Sequence, residues 1–377
     1  MNPQPKDRIA WLFPSLERGN YWHPVFKEFS RIIEDTVIFT GLWPGYAAGY
    51  EDSFKVKIVG KTRFVDYTTS VSYVSPAIIG QLLKFKPNLI FSSGFSIWTL
   101  ISLVLKPIGK WQVVIVYDGS SPSVDFRESK TRLLARRFMA KVADAFITNS
   151  HAGKTYLTEI IGSRPDKVFA RPYQVPTQKA LSKSSSTDKL DYLPAKRPVF
   201  LFVGQLIERK GLENLLKACS ILQRKKCINY TLLIAGDGPQ RQDLEAMSRE
   251  YDLEDQLKWL GWINYADLGS YFQTSDVFVL PTLEDVWGMV VLEAMLFSKP
   301  ILCSKLAGVS EIVEHGINGY VFDPTNYEEL ALLMECLINQ PDLIAKMGDE
   351  SKRVIDKHTL EAVVRHLADV TSQVLRS

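Results

Sequence analysis

The sequence predicts an α/β protein built from two doubly wound domains, each a parallel sheet covered by helices on both faces. The first observation is length, because 377 residues exceed what one hydrophobic core usually supports. The second is that short apolar runs alternate with amphipathic segments, which favours parallel sheets. The third is a single interruption, the polar and serine-rich stretch 177–197, which we interpret as a linker.

The first half contains six strand candidates with helical patterns between several of them. The strands are RIAWLF, TVIFTG, NLIFSS, WQVVIVYD, AFITNS and KVFARP, with KVKIVG and TRFVDY as additional candidates. Helices are expected at HPVFKEFSRII and TRLLARRFMAKVA. Residues 87–105 carry no charge and approach the length of a membrane span, but their proline, asparagine and glycine favour a strand, a turn and a core helix.

The alternation restarts after the linker. Strands are expected at PVFLFVG, YTLLIAG, LKWLGW, DVFVLP and ILCSKL, and helices at LENLLKACSILQRK, QRQDLEAMSREY and ADLGSYFQTS. The predicted domains are therefore 1–176 and 198–358, and an amphipathic helix follows over 359–377. Doubly wound domains bind ligands at the carboxyl ends of their strands, so the loops that follow the strands are the expected functional sites.

Composition is ordinary, but charge is unevenly distributed. The chain is 46% hydrophobic and 23% charged, which is typical of a soluble globular protein. Residues 1–180 hold 24 Lys and Arg against 14 Asp and Glu, whereas the remainder holds 21 against 28. The basic first half indicates an anionic partner, such as anionic lipid or a lipid-phosphate acceptor; a merely solvated basic surface is the alternative.

The cysteines and the start of the chain favour a cytoplasmic compartment. None of the four cysteines lies in a metal-ligand spacing, and all lie in helical or strand-like patterns. The first residues, MNPQPKDRIAWLF, lack the long apolar core of a secretory signal. A cytoplasmic location, with a peripheral position on the inner face of a membrane left open, is therefore expected.

The segment Pro281–Met295, PTLEDVWGMVVLEAM, carries the most chemical information. Asp285 and Glu293 are eight positions apart, with Gly288 at the expected start of a helix. A helix N-terminus presents free backbone N–H groups that suit a phosphate, and a carboxylate further along can accept two neighbouring ribose hydroxyls. This indicates a nucleotide diphosphate-sugar site; an ordinary strand–turn–helix with an acidic loop is the alternative.

A second phosphate cradle is indicated by PVFLFVGQLIERKGLENLL. Gly204 ends the strand, and Lys210 and Gly211 precede the next helix. A glycine turn with a cation ahead of a helix suits a diphosphate. A solvated lysine would be the alternative for Lys210.

Together these elements resemble the retaining GT-B glycosyltransferases of group 1, or family 4, whose fold is two Rossmann-like domains facing across a cleft. The acidic pair resembles the family's E-x7-E, with Asp285 at the first position and Glu284 beside it. QLIERKG resembles the G-R-x4-K-G element, with Gln205 in place of the arginine. LLIAGDGP, LKWLGWI and SKLAGVSEIVEHGINGYVFDP resemble further family elements in the same order. The resemblance also implies that the last helix crosses back to the first domain.

The resemblance implies roles for the matching residues. Glu293 is expected to hold the donor ribose, Asp285 with Glu284 to contact donor-sugar hydroxyls, and Lys210 to neutralise the diphosphate. Arg209 is the nearest substitute for the missing arginine, and Trp262 and Ile263 either border the base or belong to the core. The expected donor site comprises Gly204, Gln205, Arg209, Lys210, Gly236, Trp262, Ile263, Glu284, Asp285, Trp287, Gly288, Met289, Val290 and Glu293.

The first half matches the family less closely. A central strand of the family commonly ends in a histidine, often followed by Asp, near the donor sugar; here Tyr117 and Asp118 stand there. Tyr117 is therefore the expected catalytic hydrogen-bonding residue, and Asp118 is expected on the acceptor side. The first strand–helix loop adds the acceptor-side candidates Gly19, Asn20 and His23. The basic helix near 126–146 suits a membrane surface, and a plain covering helix would look the same.

The sequence thus predicts a retaining glycosyltransferase that needs no metal and no cofactor beyond its nucleotide diphosphate-sugar co-substrate. Its acceptor would be a carbohydrate or lipid-linked hydroxyl, and no nucleic-acid partner is expected. A catalytically silent homologue acting as a binding protein, or a GT-B epimerase, remains an alternative. A dinucleotide-dependent oxidoreductase is disfavoured, because GDGPQR lacks the third glycine of G-x-G-x-x-G.

Overall fold

A computed structural model describes the protein as two compact units. The described residues are 7–16, 21–46, 49–59, 61–64, 70–73, 76–173, 175–181 and 196–376. The first unit comprises Met1–Val175 together with Thr359–Ser377, and the second comprises Pro176–His358. The last helix of the chain therefore belongs to the unit that contains the first strand.

The first unit is built on a seven-stranded sheet in the order β3-β2-β1-β6-β7-β8-β9, in which every described pair is parallel. Its strands are β1 Ile9–Phe13, β2 Thr36–Thr40, β3 Lys55–Ile58, β6 Leu89–Ser93, β7 Gln112–Tyr117, β8 Ala145–Thr148 and β9 Val168–Ala170. A separate antiparallel pair joins β4 Lys61–Phe64 to β5 Ser70–Tyr73. The helices are α1 Trp22–Ile32, α2 Ala77–Phe85, α3 Ile97–Gly109, α4 Pro122–Asp125, α5 Lys130–Val142, α6 His151–Thr155 and α14 Leu360–Arg376. A π-helical turn at Tyr156–Ile160 continues α6.

An aromatic cluster fills one face of this sheet. The rings of Trp11 and Phe91 stack with centroids 4.1 Å apart, and Phe26 and Phe29 meet the Trp11 ring edge-on. The apolar face of α14 belongs to the same core, through Val363, Val364, Leu367, Val370 and Val374. Because α14 packs against α1, the chain after residue 358 completes the core of the first unit.

The second unit repeats the layered plan on a six-stranded parallel sheet in the order β12-β11-β10-β13-β14-β15. The strands are β10 Val199–Val203, β11 Thr231–Ala235, β12 Leu257–Gly261, β13 Val277–Leu280, β14 Ile301–Ser304 and β15 Gly319–Phe322. The helices are α7 Gln178–Leu181, α8 Leu212–Arg224, α9 Arg241–Glu250, α10 Leu268–Thr274, α11 Met289–Leu296, α12 Tyr327–Asn339 and α13 Pro341–Ile355. Short 3-10 turns lie at Glu208–Lys210, Tyr265–Asp267 and Gly308–Ile312.

The predicted fold class is confirmed, since both halves are parallel sheets covered by helices. The uncharged segment 87–105 forms β6 and α3, as expected. The predicted linker is wrong at its start, because Gln178–Leu181 is helical. Leu181 is fully buried in a core cluster of the second unit, so this helix is anchored on that unit. Residues 182–195 of the linker lie outside the described residues.

Several elements were not predicted from the sequence: β5, β15, α2, α12 and α13. All four cysteines are free thiols, and Cys219 and Cys303 are buried. Within the described residues, no helix combines the length and the apolar character needed to cross a bilayer.

The buried side of α14 should make the first unit sensitive to acid. The Nε2 atom of His366 has no hydrogen-bond partner among the described residues, and the ring contacts Phe169. Burial, aided by nearby Arg171 and opposed by Asp369, lowers the pKa of His366 to about 4. The unfolded chain therefore binds this proton more tightly, and stability should fall as the pH drops from the ordinary histidine pKa towards that value.

We expect His366→Phe to lose less stability on acidification than the wild type. Between about pH 7 and about pH 5 the difference should be on the order of 1 kcal/mol. Urea denaturation of the full chain at both pH values measures it. Equal losses in the two proteins would show that His366 is not a source of the acid sensitivity.

Candidate active site

The strand order of the second unit gathers five loops along one edge of its sheet. Because the strands are parallel, the carboxyl ends of β12, β11, β10, β13 and β14 lie side by side. The loops after them cover residues 261–264, 236–240, 204–211, 281–288 and 305–308. Every donor-site residue expected from the sequence lies in four of these loops or in α11, which follows the loop 281–288.

The loops 204–211 and 281–288 interlock through backbone contacts. The Leu283 N–H donates to the Arg209 carbonyl at 2.8 Å, and the Thr282 hydroxyl lies 2.7 Å from the same oxygen. Gly211 has φ +68°, and a Cβ there would lie 2.0 Å from the Pro281 carbonyl oxygen. A glycine is therefore required at this close approach. Thr282 was not predicted as part of the site, because a threonine after a buried strand carries no signal of its own.

The interlock brings Lys210 and Asp285 together. The Lys210 Nζ lies 2.5 Å from Asp285 Oδ2, and the two side chains are 13% and 16% exposed. A charge-assisted bond between two largely buried groups fixes both side chains. The family resemblance implies contacts with different parts of a substrate for these two residues, and their sequence positions do not predict that they meet. If either residue lost its partner, the remaining unpaired charge would lower the stability of the folded protein considerably more than an unpaired charge at the surface does.

Backbone contacts from the loop after β14 hold the loop 281–288 from its other side. The Asp285 N–H donates to the Leu306 carbonyl at 3.3 Å, and the Gly308 N–H donates to the Asp285 carbonyl at 3.1 Å. A Cβ on Gly308 would lie 2.3 Å from the Val286 carbonyl oxygen. Asp285 is thus fixed at both its side chain and its main chain.

The helix α11 begins directly after this loop. Gly288 has φ +101°, and a Cβ there would approach Val309 Cγ1 to 2.9 Å. The first helical N–H groups, those of Met289 and Val290, have no carbonyl partner within the helix, so its start is a site for negative charge. Trp287 is buried beside it, and its Nε1 has no hydrogen-bond partner among the described residues.

Glu293 lies in α11 and is only 2% exposed. A carboxylate at this depth requires hydrogen-bonding groups around it, because an isolated buried charge is strongly unfavourable. The other seven residues of α11 are apolar, so Glu293 is the only ionisable side chain of this helix.

The turns that follow β10, β11 and β12 form the rest of this edge of the sheet. The Gly236 N–H donates to the Gly261 carbonyl at 2.8 Å, and a Cβ on Gly236 would lie 1.8 Å from the Gly204 carbonyl oxygen. Gln205 is exposed, and Trp262 is 73% exposed, whereas Ile263 packs against a core cluster. The structure therefore excludes a core position for the Trp262 side chain.

Arg209 and Glu284 are half-buried, and the Arg209 side chain contacts the backbone of Glu284. The Arg209 Nη1 donates to the Glu284 carbonyl at 3.2 Å. The guanidinium that was expected to replace the missing arginine therefore braces the loop 281–288 in this structure.

In the first unit, Tyr117 lies at the carboxyl end of β7 but points into a buried network. Its hydroxyl donates to Asp125 Oδ1 at 2.5 Å, and its ring stacks on Tyr156. Burial and the neighbouring Asp125 raise the pKa of Tyr117 far above its ordinary value. Asp125 is itself fully buried and accepts hydrogen bonds from Ser120 and Arg127. In this conformation the Tyr117 hydroxyl is engaged within the protein.

The next residue, Asp118, is the exposed one of the two. Its Oδ1 accepts a 2.6 Å hydrogen bond from the Tyr173 hydroxyl, and its carbonyl accepts one from Asn149 Nδ2 at 3.0 Å. Asn149 also accepts the Tyr173 N–H through its side-chain oxygen. Asp118 therefore reaches the surface, but its carboxylate lies against buried neighbours, and this burial raises its pKa while the Tyr173 hydrogen bond opposes the rise.

The remaining acceptor-side candidates have different positions. His23 lies in the first turn of α1 rather than in the preceding loop, and it is 3% exposed. Its ring contacts those of Trp43, Tyr46 and Phe54, and burial lowers its pKa to about 4. A neutral histidine packed among aromatic rings is disfavoured as an acceptor contact. Gly19 and Asn20 lie outside the described residues.

Comparison with known proteins agrees with this arrangement of motifs. The sequence model of the family described as glycosyl transferases group 1 matches residues 188–354, which include all five loops. The second unit is a group 1 glycosyl transferase domain. The chain is also similar to an uncharacterized glycosyltransferase of Haemophilus influenzae, with 28% identity over 234 residues, 62% of each chain. It is 30% identical over 179 residues to the alpha-D-kanosaminyltransferase of Streptomyces kanamyceticus, covering 47% of this chain and 46% of that one. The matches thus span roughly half to three fifths of these relatives' lengths.

Solved structures show the same fold over nearly the whole chain. The Anabaena protein HepE, in its complex with UDP, aligns with a TM-score of 0.78 and 18% identity, covering 97% of this chain and all of that one. At this identity the likeness concerns the fold, which is GT-B, with two α/β domains.

The close approach at Gly211 gives a test of the interlock. Gly211→Ala should destabilise the second unit by more than about 2 kcal/mol, because the new Cβ would overlap the Pro281 carbonyl at a positive φ. Thermal or urea unfolding of the full chain measures this loss. As a matched control, Gly80→Ala in α2 places its Cβ in open space, and should be neutral or stabilising by up to about 1 kcal/mol. Equal stability of G211A and the wild type would contradict the interlock.

Proposed function

We propose that the protein is a retaining glycosyltransferase that transfers a sugar from a nucleotide diphosphate-sugar to an acceptor hydroxyl. The observation that carries the proposal is the Lys210–Asp285 pair, in which Asp285 belongs to the loop just before the start of α11 and Lys210 to the loop before α8. A cation, a carboxylate and a helix N-terminus are the groups that a diphosphate joined to a sugar would engage. The group 1 family match and the glycosyltransferase relatives support the same reaction class.

The charges suggest how the donor would be bound. A diphosphate that approaches the start of α11 would compete with Asp285 for Lys210. Once the ammonium turns towards the phosphates, the Asp285 carboxylate can accept hydrogen bonds from hydroxyls of the donor sugar. Glu293, further along the same helix, would hold the two ribose hydroxyls. Donor binding thus replaces the Lys210–Asp285 ion pair by contacts of Lys210 with the phosphates and of Asp285 with the sugar hydroxyls.

The same groups would stabilise the transition state. As the bond between the sugar and the diphosphate breaks, negative charge grows on the leaving phosphate. Lys210, already turned towards the phosphates in the donor complex, and the fixed N–H groups of Met289 and Val290 would meet that charge without further reorganisation, which is how preorganised dipoles accelerate reactions. In this proposal they supply the positive charge, and no metal is required.

Retention of configuration would follow if the acceptor attacks from the face of the leaving group. A phosphate oxygen would then accept the acceptor's proton, and no protein nucleophile is needed. On the acceptor side we propose Asp118, the surface carboxylate held by Tyr173, as a contact for an acceptor hydroxyl. The excess of Lys and Arg in residues 1–180 supports an acceptor that is anionic or lipid-linked, a carbohydrate on a lipid phosphate being one example.

The donor site can be tested by ligand-induced stabilisation. UDP-, GDP-, ADP- and dTDP-sugars are added to wild type and to Glu293→Gln, and the unfolding midpoint is measured. A donor at about one hundred times its dissociation constant should stabilise the wild type by about 2.7 kcal/mol, and the variant clearly less. A variant stabilised as strongly as the wild type would remove Glu293 from the site. The absence of any response would favour a silent homologue.

Lys210 should act mainly on turnover. Lys210→Met should lower kcat by about 100- to 1,000-fold while changing donor affinity much less, because the diphosphate charge is greatest in the transition state. The matched control is Lys217→Met, which removes a lysine paired with Glu213 on the surface of α8. A loss confined to donor affinity, with kcat unchanged, would contradict the proposed role.

A further inference from the structure

Two neighbouring helices of the first unit expose large apolar side chains in matching pairs. On α3 these are Val104 and Ile108, which are 61% and 69% exposed, and on α5 they are Leu134 and Phe138, which are 71% and 56% exposed. Residues four positions apart lie on the same face of a helix, so each pair forms a short apolar stripe. The helices pack together, and the Lys106 Nζ donates to the Val142 carbonyl at 3.1 Å across their ends. Single exposed hydrophobics are common, whereas a group of four on adjacent helices marks an interaction surface.

The charges that α3 and α5 themselves carry have one sign. Neither α3 nor α5 contains Asp or Glu, and α5 alone carries five cations: Lys130, Arg132, Arg136, Arg137 and Lys141. Two of these side chains form hydrogen bonds within the unit. Arg136 donates to the carbonyls of Val124 and Asp125, and Arg137 donates to the Ile160 carbonyl. Lys130 and Lys141 are exposed, and neither is in an ion pair among the described residues.

A groove beside the α3 stripe is also lined by lysines. Its volume is about 450 Å³, and it is lined by Lys106, Lys110 and residues of the adjoining β7 and α5 ends. Lys106 is paired with Asp144 at 2.7 Å, whereas Lys110 is exposed just after the last turn of α3. Cations therefore lie at the end of both helices.

We propose that this surface, the α3–α5 face, docks the protein on a bilayer that contains anionic phospholipid. Its aliphatic and aromatic tips would enter the boundary between headgroups and acyl chains. Lys130, Lys141 and Lys110 would lie at headgroup level, with their stems along the apolar surface and their ammonium groups on lipid phosphates.

Charge complementarity selects this occupant. A second copy of the chain, docked through the same face, would place cations opposite cations, which is unfavourable. An anionic lipid surface offers negative charge and an apolar layer together, and the face presents the complement of both. The proposal stands independently of the proposed transfer reaction, because it concerns binding alone.

The test is flotation of the full-length protein with unilamellar vesicles of phosphatidylcholine alone or with about one third phosphatidylglycerol. We expect binding to the anionic vesicles only, weakened by added salt, because exposed charges are screened. Leu134→Gln/Phe138→Gln should reduce vesicle affinity at least about tenfold through lost apolar insertion. Lys130→Gln/Lys141→Gln should reduce it by about tenfold or more, each cation contributing about fivefold.

Matched control variants keep the result interpretable. Ile58→Gln/Leu332→Gln removes two apolar side chains that are 60% and 57% exposed on other elements. Lys346→Gln/Lys357→Gln removes the same charge from the second unit. Both should bind as the wild type does, and unfolding midpoints should show that all four variants are folded.

Three results would overturn the proposal. The first is binding of the wild type to neither vesicle. The second is undiminished affinity of both α3–α5 face variants for the anionic vesicles. The third is a wild-type dimer in sedimentation that Leu134→Gln/Phe138→Gln converts to a monomer, which would assign the face to a second copy of the chain.

Discussion

The ion pair between Lys210 and Asp285 joins the two charged loops of the candidate site, those after β10 and β13. Each residue belongs to a loop that follows a different strand, and the two strands, β10 and β13, are neighbours in the sheet. Without the cation the carboxylate would be left nearly buried and unpaired, and the converse holds for the lysine. The pair therefore keeps a reactive arrangement of charges stable before any ligand arrives, and a diphosphate can take over the role of the carboxylate.

The backbone around this pair is held by contacts of its own. Gly211 allows one loop to touch the carbonyl of the other, Thr282 and Leu283 bond to Arg209, and the loop after β14 braces Asp285. These contacts use main-chain atoms, so side chains such as Gln205 can differ from those of related motifs while the loops keep their course. The main-chain contacts thus set the spacing of the loops, on which the direction of the charges depends.

Periodicity and motif order were enough to predict the two sheets and the loops that carry the donor-site candidates. They were not enough to predict contacts, because Lys210 and Asp285 are 75 positions apart and their proximity depends on strand order. Tyr117 shows a second limit: its strand-end position was correct, but buried Asp125 engages its hydroxyl. The helix at the start of the linker was not predicted, because its sequence is short and polar and its buried residue Leu181 shows no periodic pattern.

The return of α14 to the first unit has a consequence for synthesis. A ribosome makes the strands and α1 of that unit first, then the whole second unit, and only afterwards α14, whose apolar residues complete the core cluster of the first unit. The second unit is continuous in the chain and can fold while the first still lacks part of its core. During that interval the nascent protein would present an uncovered apolar surface, the kind of surface on which chaperones act and from which aggregation begins.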